Sequence, residues 1–462
     1  MRDGWMRAVA LLAVLVAAPA WRHRAIAGGA GGQAVTVPLQ ERPEDLIVDP
    51  FTGHLFVSVL FGRVLMFDRA GHLLRSIGIG ERAAHTMALD PLAHLLLAGP
   101  VGTYQTHPAP VAMIDTRTGA LVGSIDVGAG LQRIAVDAQA GRAVAISDFG
   151  RGGTTGAISV LDTRGGRLLR QIVTGAVLST LAVDVRAGRA LVVGAEGGVW
   201  VLDVRTGRLL RTTHLAGFPS LVALDEGRGR AFVAAARDGE GGIVSVLDTR
   251  TGALIAAVPV PGTPTSLVVD PERGVAATVG GTEAAGSIFS LVDTDGRLLH
   301  VRPLGRSLGL LAGPAGRLVA RSVADGTVSL VDSRTGSTLR TIHLHGVPLT
   351  TALDPRTGRL YVAMQPTAGD RPAPVLRVPT KDATVPEFGG RVNLARRGTI
   401  VVLDGRTGQP LRTIQAGVLP AMIALDPAHH RLVAIDQAGD DPGLPAGPVT
   451  SANRGGLTIA PL

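Results

Sequence analysis

The chain is predicted to be all-β, a single β-propeller of four-stranded blades. Three observations predict it. One short pattern returns along almost the whole chain, and a second is interleaved with it. Apolar residues gather in short runs bounded by Gly and Pro, with no sustained helical period. A unit of this size cannot bury its own apolar surface, so regular repetition means that neighbours supply the core to one another.

The first pattern is "VLDTRTGALI" from Val246, with related copies from Met113, Val160, Val201, Leu330 and Val402. Its Asp falls at Asp68, Asp115, Asp162, Asp203, Asp248, Asp293, Asp332 and Asp404, in steps of 47, 47, 41, 45, 45, 39 and 72 residues. All but the last match the period of a propeller blade. The second pattern, such as "TALDPRTGRLYVA" from Thr351, holds two runs of Val, Ile and Leu split by Asp, Pro and Gly, which reads as a hairpin.

Together they define strands a, b, c and d of each blade. Strand a ends at an Asp, b is the "LYVA" run, c is the "SVLD" run and d is the "LLRTI" run. The Gly of "RTG", as at Gly119 and Gly252, stands where a tight turn requires positive φ. Nine copies of strand a are present, ending at Asp49, Asp90, Asp137, Asp184, Asp225, Asp270, Gly313, Asp354 and Asp426, but only eight of strand d. The missing strand is available as "AVTVPL" from Ala34, which would close the ring by joining "RLVAI" and the terminal "LTIAPL". Nine blades result; eight would result if the last unit packed outside the ring.

These repeats resemble the YVTN-type β-propeller family, which includes surface-layer and periplasmic, YncE-like members. The residues that carry the resemblance are "RLYVA" at Arg359–Ala363, "LFVS" at Leu55–Ser58 and "VSVLDTRTG" at Val244–Gly252. The resemblance implies the propeller fold from about residue 35 onward and no particular activity. Where the family usually has Asn after the "YVA" run, this chain has Met364, Ala235 or Gly194.

Residues 1–27 stand apart. Arg2 and Arg7 precede an apolar run from Ala8 to Ala20, and Ala25, Ile26 and Ala27 form a small-residue cleavage site before Gly28. The segment reads as an export signal or, with Arg22, His23 and Arg24 behind it, as an uncleaved anchor. Either places residues 28–462, the propeller, outside the cytoplasm: periplasmic, secreted or at the cell surface. Membrane contact is expected only through an uncleaved leader. The chain has no cysteine, and a large closed ring does not need disulfides.

Strand order puts the a–b and c–d turns on one face and the b–c and d–a loops on the other. The first face repeats Arg at the c–d turns, from Arg117 to Arg406, and near the a–b turns, from Arg142 to Arg359. With a net charge of +8, this invites nucleic acid or another polyanion. That partner is not favoured: each c–d Arg stands two residues from an Asp, which predicts self-paired turns, and no aromatic residues interleave to stack bases. The strand-a Asp residues should ring one mouth of the central channel, and a cap on its own turn is the expected role of each.

The second face carries the irregular material, read as long b–c insertions at residues 99–110, 148–156, 237–242, 280–286, 365–398 and 437–456. The insertion at 365–398 is the candidate partner-binding loop, with Asp370, Arg371, Lys381, Asp382, Glu387, Arg391, Arg396 and Arg397 as its charged residues. No catalytic, cofactor-binding or metal-binding residue is assigned. His343 and His345 on a strand d, and His429 and His430 in a turn, show no carboxylate at a suggestive spacing.

The expected function is that of an exported, non-catalytic binding scaffold whose partner is a protein, a polymer or a cell-surface component. No cofactor is expected. The alternative is a propeller enzyme with a funnel site, lactonase-like or quinoprotein-like. A quinoprotein usually has Trp-rich blades, whereas this chain has only Trp5, Trp21 and Trp200.

Overall fold

A computed structural model describes residues 34–59, 62–80, 86–99, 110–149, 155–238, 241–282, 286–306, 309–367, 396–438 and 455–462. Nine separate four-stranded antiparallel sheets form among them. Blades 1 to 8 each take their strands in sequence order, from strand a of blade 1 (Pro43–Val48) to strand d of blade 8 (Pro410–Gln415). Blade 9 is composite. Its strands a, b and c are Val418–Asp426, Arg431–Ala438 and Gly455–Pro461, and its outer strand is Val35–Leu39. The register runs from Val35 opposite Ile459 to Leu39 opposite Gly455, so the expected closure and the nine-blade count both hold. Pro38 lies in this outer edge strand, where a missing N–H leaves no ladder bond unmade.

The core is divided as the repeat length requires. Nine apolar clusters each straddle two adjacent blades. One joins Leu55 and Val57 of blade 1 to Val433 and Leu457 of blade 9, and another joins Tyr361 of blade 8 to Leu432 of blade 9. With few aromatics available, Val, Leu, Ile and Ala fill these layers. The strand-a segments touch one another around the axis and are therefore innermost, while the strand-d segments form the rim.

The strand-a Asp residues at Asp49, Asp90, Asp137, Asp184, Asp225, Asp270, Asp354 and Asp426 are all buried, and they cap their own a–b turns. Their second oxygens do more. In three alternating blade pairs the Asp accepts a hydroxyl from the residue after the strand-c Asp of the next blade. Thr163 reaches Asp90 at 2.5 Å, Thr249 reaches Asp184 at 2.6 Å and Ser333 reaches Asp270 at 2.5 Å. Charge-assisted bonds of this length are among the stronger ones a protein makes. Blade 7 has Gly313 in place of the Asp, and the partner position in blade 8 is Gly405, so the two halves of the latch are lost together.

Two b–c segments are tighter than the sequence suggested. Asp148 pairs with Gly156 and Thr282 with Gly286, so strands b and c run on into the expected insertions at 148–156 and 280–286, whereas strand b of blade 5 ends at Ala236, at the edge of the expected insertion at 237–242.

Thr163→Val preserves volume and removes the hydroxyl that satisfies a buried carboxylate. A loss of about 1–3 kcal/mol is expected, read from the denaturant midpoint. His430 has φ of 53°, where blade 8 uses Gly358 at 69°, and its side chain is exposed. His430→Gly should therefore stabilise the chain by roughly 0.5 kcal/mol in the same measurement.

Candidate functional site

The channel has two unlike mouths. On the turn face, part of the repeated Asp and Arg set pairs, but not as the sequence suggested. Of the c–d arginines, Arg117 bonds its own turn carboxylate, Asp115, at 3.1 Å. In blades 3, 4 and 5 the partner comes from the first residue of strand b, which the register sets beside the last residue of strand c. Arg142 meets Asp162 at 3.0 Å, Arg189 meets Asp203 at 2.8 Å and Arg230 meets Asp248 at 3.4 Å. At Asp115 burial opposes ionisation, but bonds from Arg117 and Thr118 outweigh it and hold the carboxyl below its ordinary value. Asp203 and Asp248 are lowered in the same way by the hydroxyls of Thr206 and Thr251.

His429 also differs from expectation. Its Nδ1 lies 2.9 Å from the Asp426 carboxylate, which Arg431 contacts at 2.8 Å as well. The turn folds residues i and i+3 together, and the carboxylate is already committed to closing blade 9. His343 and His345 are exposed. Among the described residues no group of three or more His, Asp or Glu gathers.

The loop-face mouth is built differently. Seven of the nine strand-a segments carry a β-bulge at the same height, skipping Glu44, Gln132, Ser179, Ser220, Thr265, Leu349 and Ala421. Five of these follow a proline: Pro43, Pro219, Pro264, Pro348 and Pro420. Proline cannot complete the ladder, and the innermost strand has a free edge on which that loss is tolerated. A bulge re-aims a side chain and ends regular pairing, which is why bulges collect beside binding sites. Ser179 shows the effect, its hydroxyl donating to Val193 at 2.9 Å and to Pro219 of the next blade at 3.1 Å.

Three arginines stand at this level. Arg321 of blade 7 donates to the carbonyls of Pro348 and Leu349, gripping the bulge of blade 8, and burial brings its pKa down to about 10. Arg42 contacts Glu44 at 3.5 Å and Gln437 at 3.4 Å. Among the described residues, Arg133, next to the bulged Gln132, has no hydrogen bond or ion pair for its guanidinium, and burial pulls its pKa down. A largely desolvated guanidinium without a partner is a ready receptor for a carboxylate or phosphate.

Of the sequence-predicted loop residues, Asp370, Arg371, Lys381, Asp382, Glu387 and Arg391 lie outside the described residues. Arg396 and Arg397 are exposed where the insertion returns to strand c of blade 8 (Thr399–Asp404). Sequence reasoning missed Gln365. It is fully buried, its amide donates to the Arg396 carbonyl at 3.0 Å, and its carbonyl accepts from Leu419 N–H at 2.9 Å. It thus ties both stems of the insertion to the bulged strand of blade 9. A polar residue ending a buried "YVAM" run was the one available signal.

Fold and site define a nine-bladed propeller with a latched turn face and a bulged channel mouth that holds Arg133 beneath its loops. The model of the family described as outer membrane protein assembly factor BamB matches residues 109–342, slightly more than half of the chain, and the chain belongs to that family. Among solved structures, the chain is similar to dihydro-heme d1 dehydrogenase NirN (15% identity, TM-score 0.54, 83% of this chain and 78% of that one). It is also similar to Sqt1 of Saccharomyces cerevisiae (11%, 0.52, 82% and 97%) and to the computationally designed Ika8 protein (18%, 0.50, 70% and 94%). At these identities the likeness is one of fold. A comparison with curated proteins gives no match.

At the turn-face mouth, burial and the neighbouring Asp184 raise the pKa of Glu226. An acid raised in the folded state costs stability as pH climbs from its unfolded value, about 4.3, through the folded one. Glu226→Gln should therefore raise the denaturant midpoint at pH 7, with the gain shrinking towards pH 4.

Proposed function

We propose that the protein is an exported, non-catalytic binding scaffold of the YVTN-repeat kind that receives an acidic partner segment at the bulged channel mouth. The observation that carries this reading is the Arg133 guanidinium, unpartnered among the described residues and held beside a bulge in the mouth over which the b–c loops emerge. Family membership supports a role in assembly rather than turnover. Residues 1–27 act as the leader, giving an extracytoplasmic protein. The insertion at 365–398, anchored by Gln365, adds Asp370, Arg371, Lys381, Asp382, Glu387, Arg391, Arg396 and Arg397 as partner contacts.

A photo-crosslinking residue at Gln132 should yield a discrete adduct in the producing cell, and the same residue at Thr251 on the turn face should not. Arg133→Glu should reduce the adduct about tenfold or more, as expected for reversing a desolvated charge contact. A chain sequenced from the extracytoplasmic fraction should begin at Gly28. Adducts indifferent to Arg133, or turnover of a lactone and ester panel that Arg133→Glu leaves intact, would sink the scaffold reading.

A further inference from the structure

The turn face is not uniform around the ring. In blades 1 and 2 it carries six large apolar side chains, Phe51, Leu73, Leu74, Leu92, Leu121 and Val122, each 50–57% exposed. Phe51 and Leu92 come from the a–b turns, where the other blades have Gln139, Arg186, Gly227, Glu272, Ala315, Arg356 and Ala428 and so present no large apolar side chain. The leucine and valine pairs open strand d and therefore stand on the rim at the turn-face end, as Leu254, Leu298, Leu339 and Leu411 do in other blades; what blades 1 and 2 add is the apolar a–b turn beside them.

The six belong to one sector. The Phe51 ring packs edge-on against His94 at 5.9 Å, which joins the two a–b turns. The stem of Arg75, next to Leu74, lies against Gly119 in the c–d turn of blade 2, a position where a Cβ would meet its Cδ at 3.1 Å. Exposed large apolar side chains gathered in one sector mark an interaction site.

Charge selects the partner. The sector's acids are spoken for: Asp49 and Asp90 are buried, Asp68 is bonded by His72 and Asp115 by Arg117. Its cations are less so. Among the described residues the exposed Arg75 head has no hydrogen bond or ion pair, and Arg69 donates to the Thr52 carbonyl, which leaves its charge uncompensated. Apolar tips set among free guanidinium groups suit a surface that is anionic outside and hydrocarbon beneath. The outer strand of blade 9 also starts here. Val35 is at the turn-face end of that strand, and Val37 lies against Gly71 in the c–d turn of blade 1, so the chain enters the ring beside this sector.

We propose that blades 1 and 2 dock the turn face onto an anionic lipid bilayer, with Phe51 and Leu92 entering the headgroup layer and Arg75 and Arg69 meeting lipid phosphates. The proposal is independent of the partner site on the opposite face, and failure of either leaves the other standing.

The absence of cysteine makes the test direct. In the full chain, Leu92→Cys is labelled with an environment-sensitive fluorophore, and Val173→Cys, 53% exposed at the loop-face end of the rim, serves as the comparison. Vesicles of phosphatidylglycerol and phosphatidylcholine should brighten and blue-shift the Leu92 label by about threefold or more, with a much smaller response on phosphatidylcholine alone. The Val173 label should not respond, which separates docking from tethering by the leader. Leu121→Ser with Val122→Ser should weaken the Leu92 response about tenfold, as expected for removing two apolar contacts; both sites are more than half exposed, so folding is retained. The proposal falls if both labels respond alike, if neither does, or if charged and neutral vesicles act equally. It also falls if the Leu92 label responds without vesicles, whether to protein concentration, as a second copy would produce, or to a soluble polyanion.

Discussion

No blade of this protein owns a core. Every apolar cluster is shared by two neighbours, so each blade is stable only because another follows it, and the first needs the last. That constraint explains the composite ninth blade. An open ring would leave Leu55 and Val57 on one side and Val433 and Leu457 on the other facing water, together with an unpaired strand edge. Joining the two ends of the chain in one sheet removes both costs.

The two faces resolve the demands of the ring in different ways. On the turn face, buried carboxylates cap their turns and take hydroxyls from the next blade, so polar atoms reinforce the same seams that the apolar clusters fill. On the loop face, strand pairing is interrupted by bulges, and at blade 8 the bulge carbonyls accept from Arg321 instead. The stiff side holds the geometry, and the irregular side is free to vary. A molecule lying with blades 1 and 2 on a lipid surface would turn that variable side, with Arg133 and the stems of the long insertion, away from the membrane.

The charge pattern shows why residue types alone mislead. Arg recurs throughout the turn face because the repeat recurs, yet register commits many of these residues to a neighbouring carboxylate or carbonyl, as Arg142 and Arg164 are. Net charge describes the whole chain. The charges open to a partner are those that packing leaves over, and among them are Arg75 on the turn face and Arg133 at the opposite mouth.

The architecture was legible in the sequence, because each blade is a local event. The Asp that ends strand a, the Gly of "RTG" and the short apolar runs act within a dozen residues, and the surplus of one strand a over strand d already required the segment from Ala34 to complete the last blade. The sites were not legible in this way. The latch between Asp90 and Thr163 spans 73 residues, the tie from Gln365 to Leu419 spans 54, and the meeting of Phe51 with His94 joins two turns in different blades. Local chemistry specifies the repeating unit. Only closing the ring decides which residues of different units face each other, because that is when buried polar groups must find partners and exposed ones are left without.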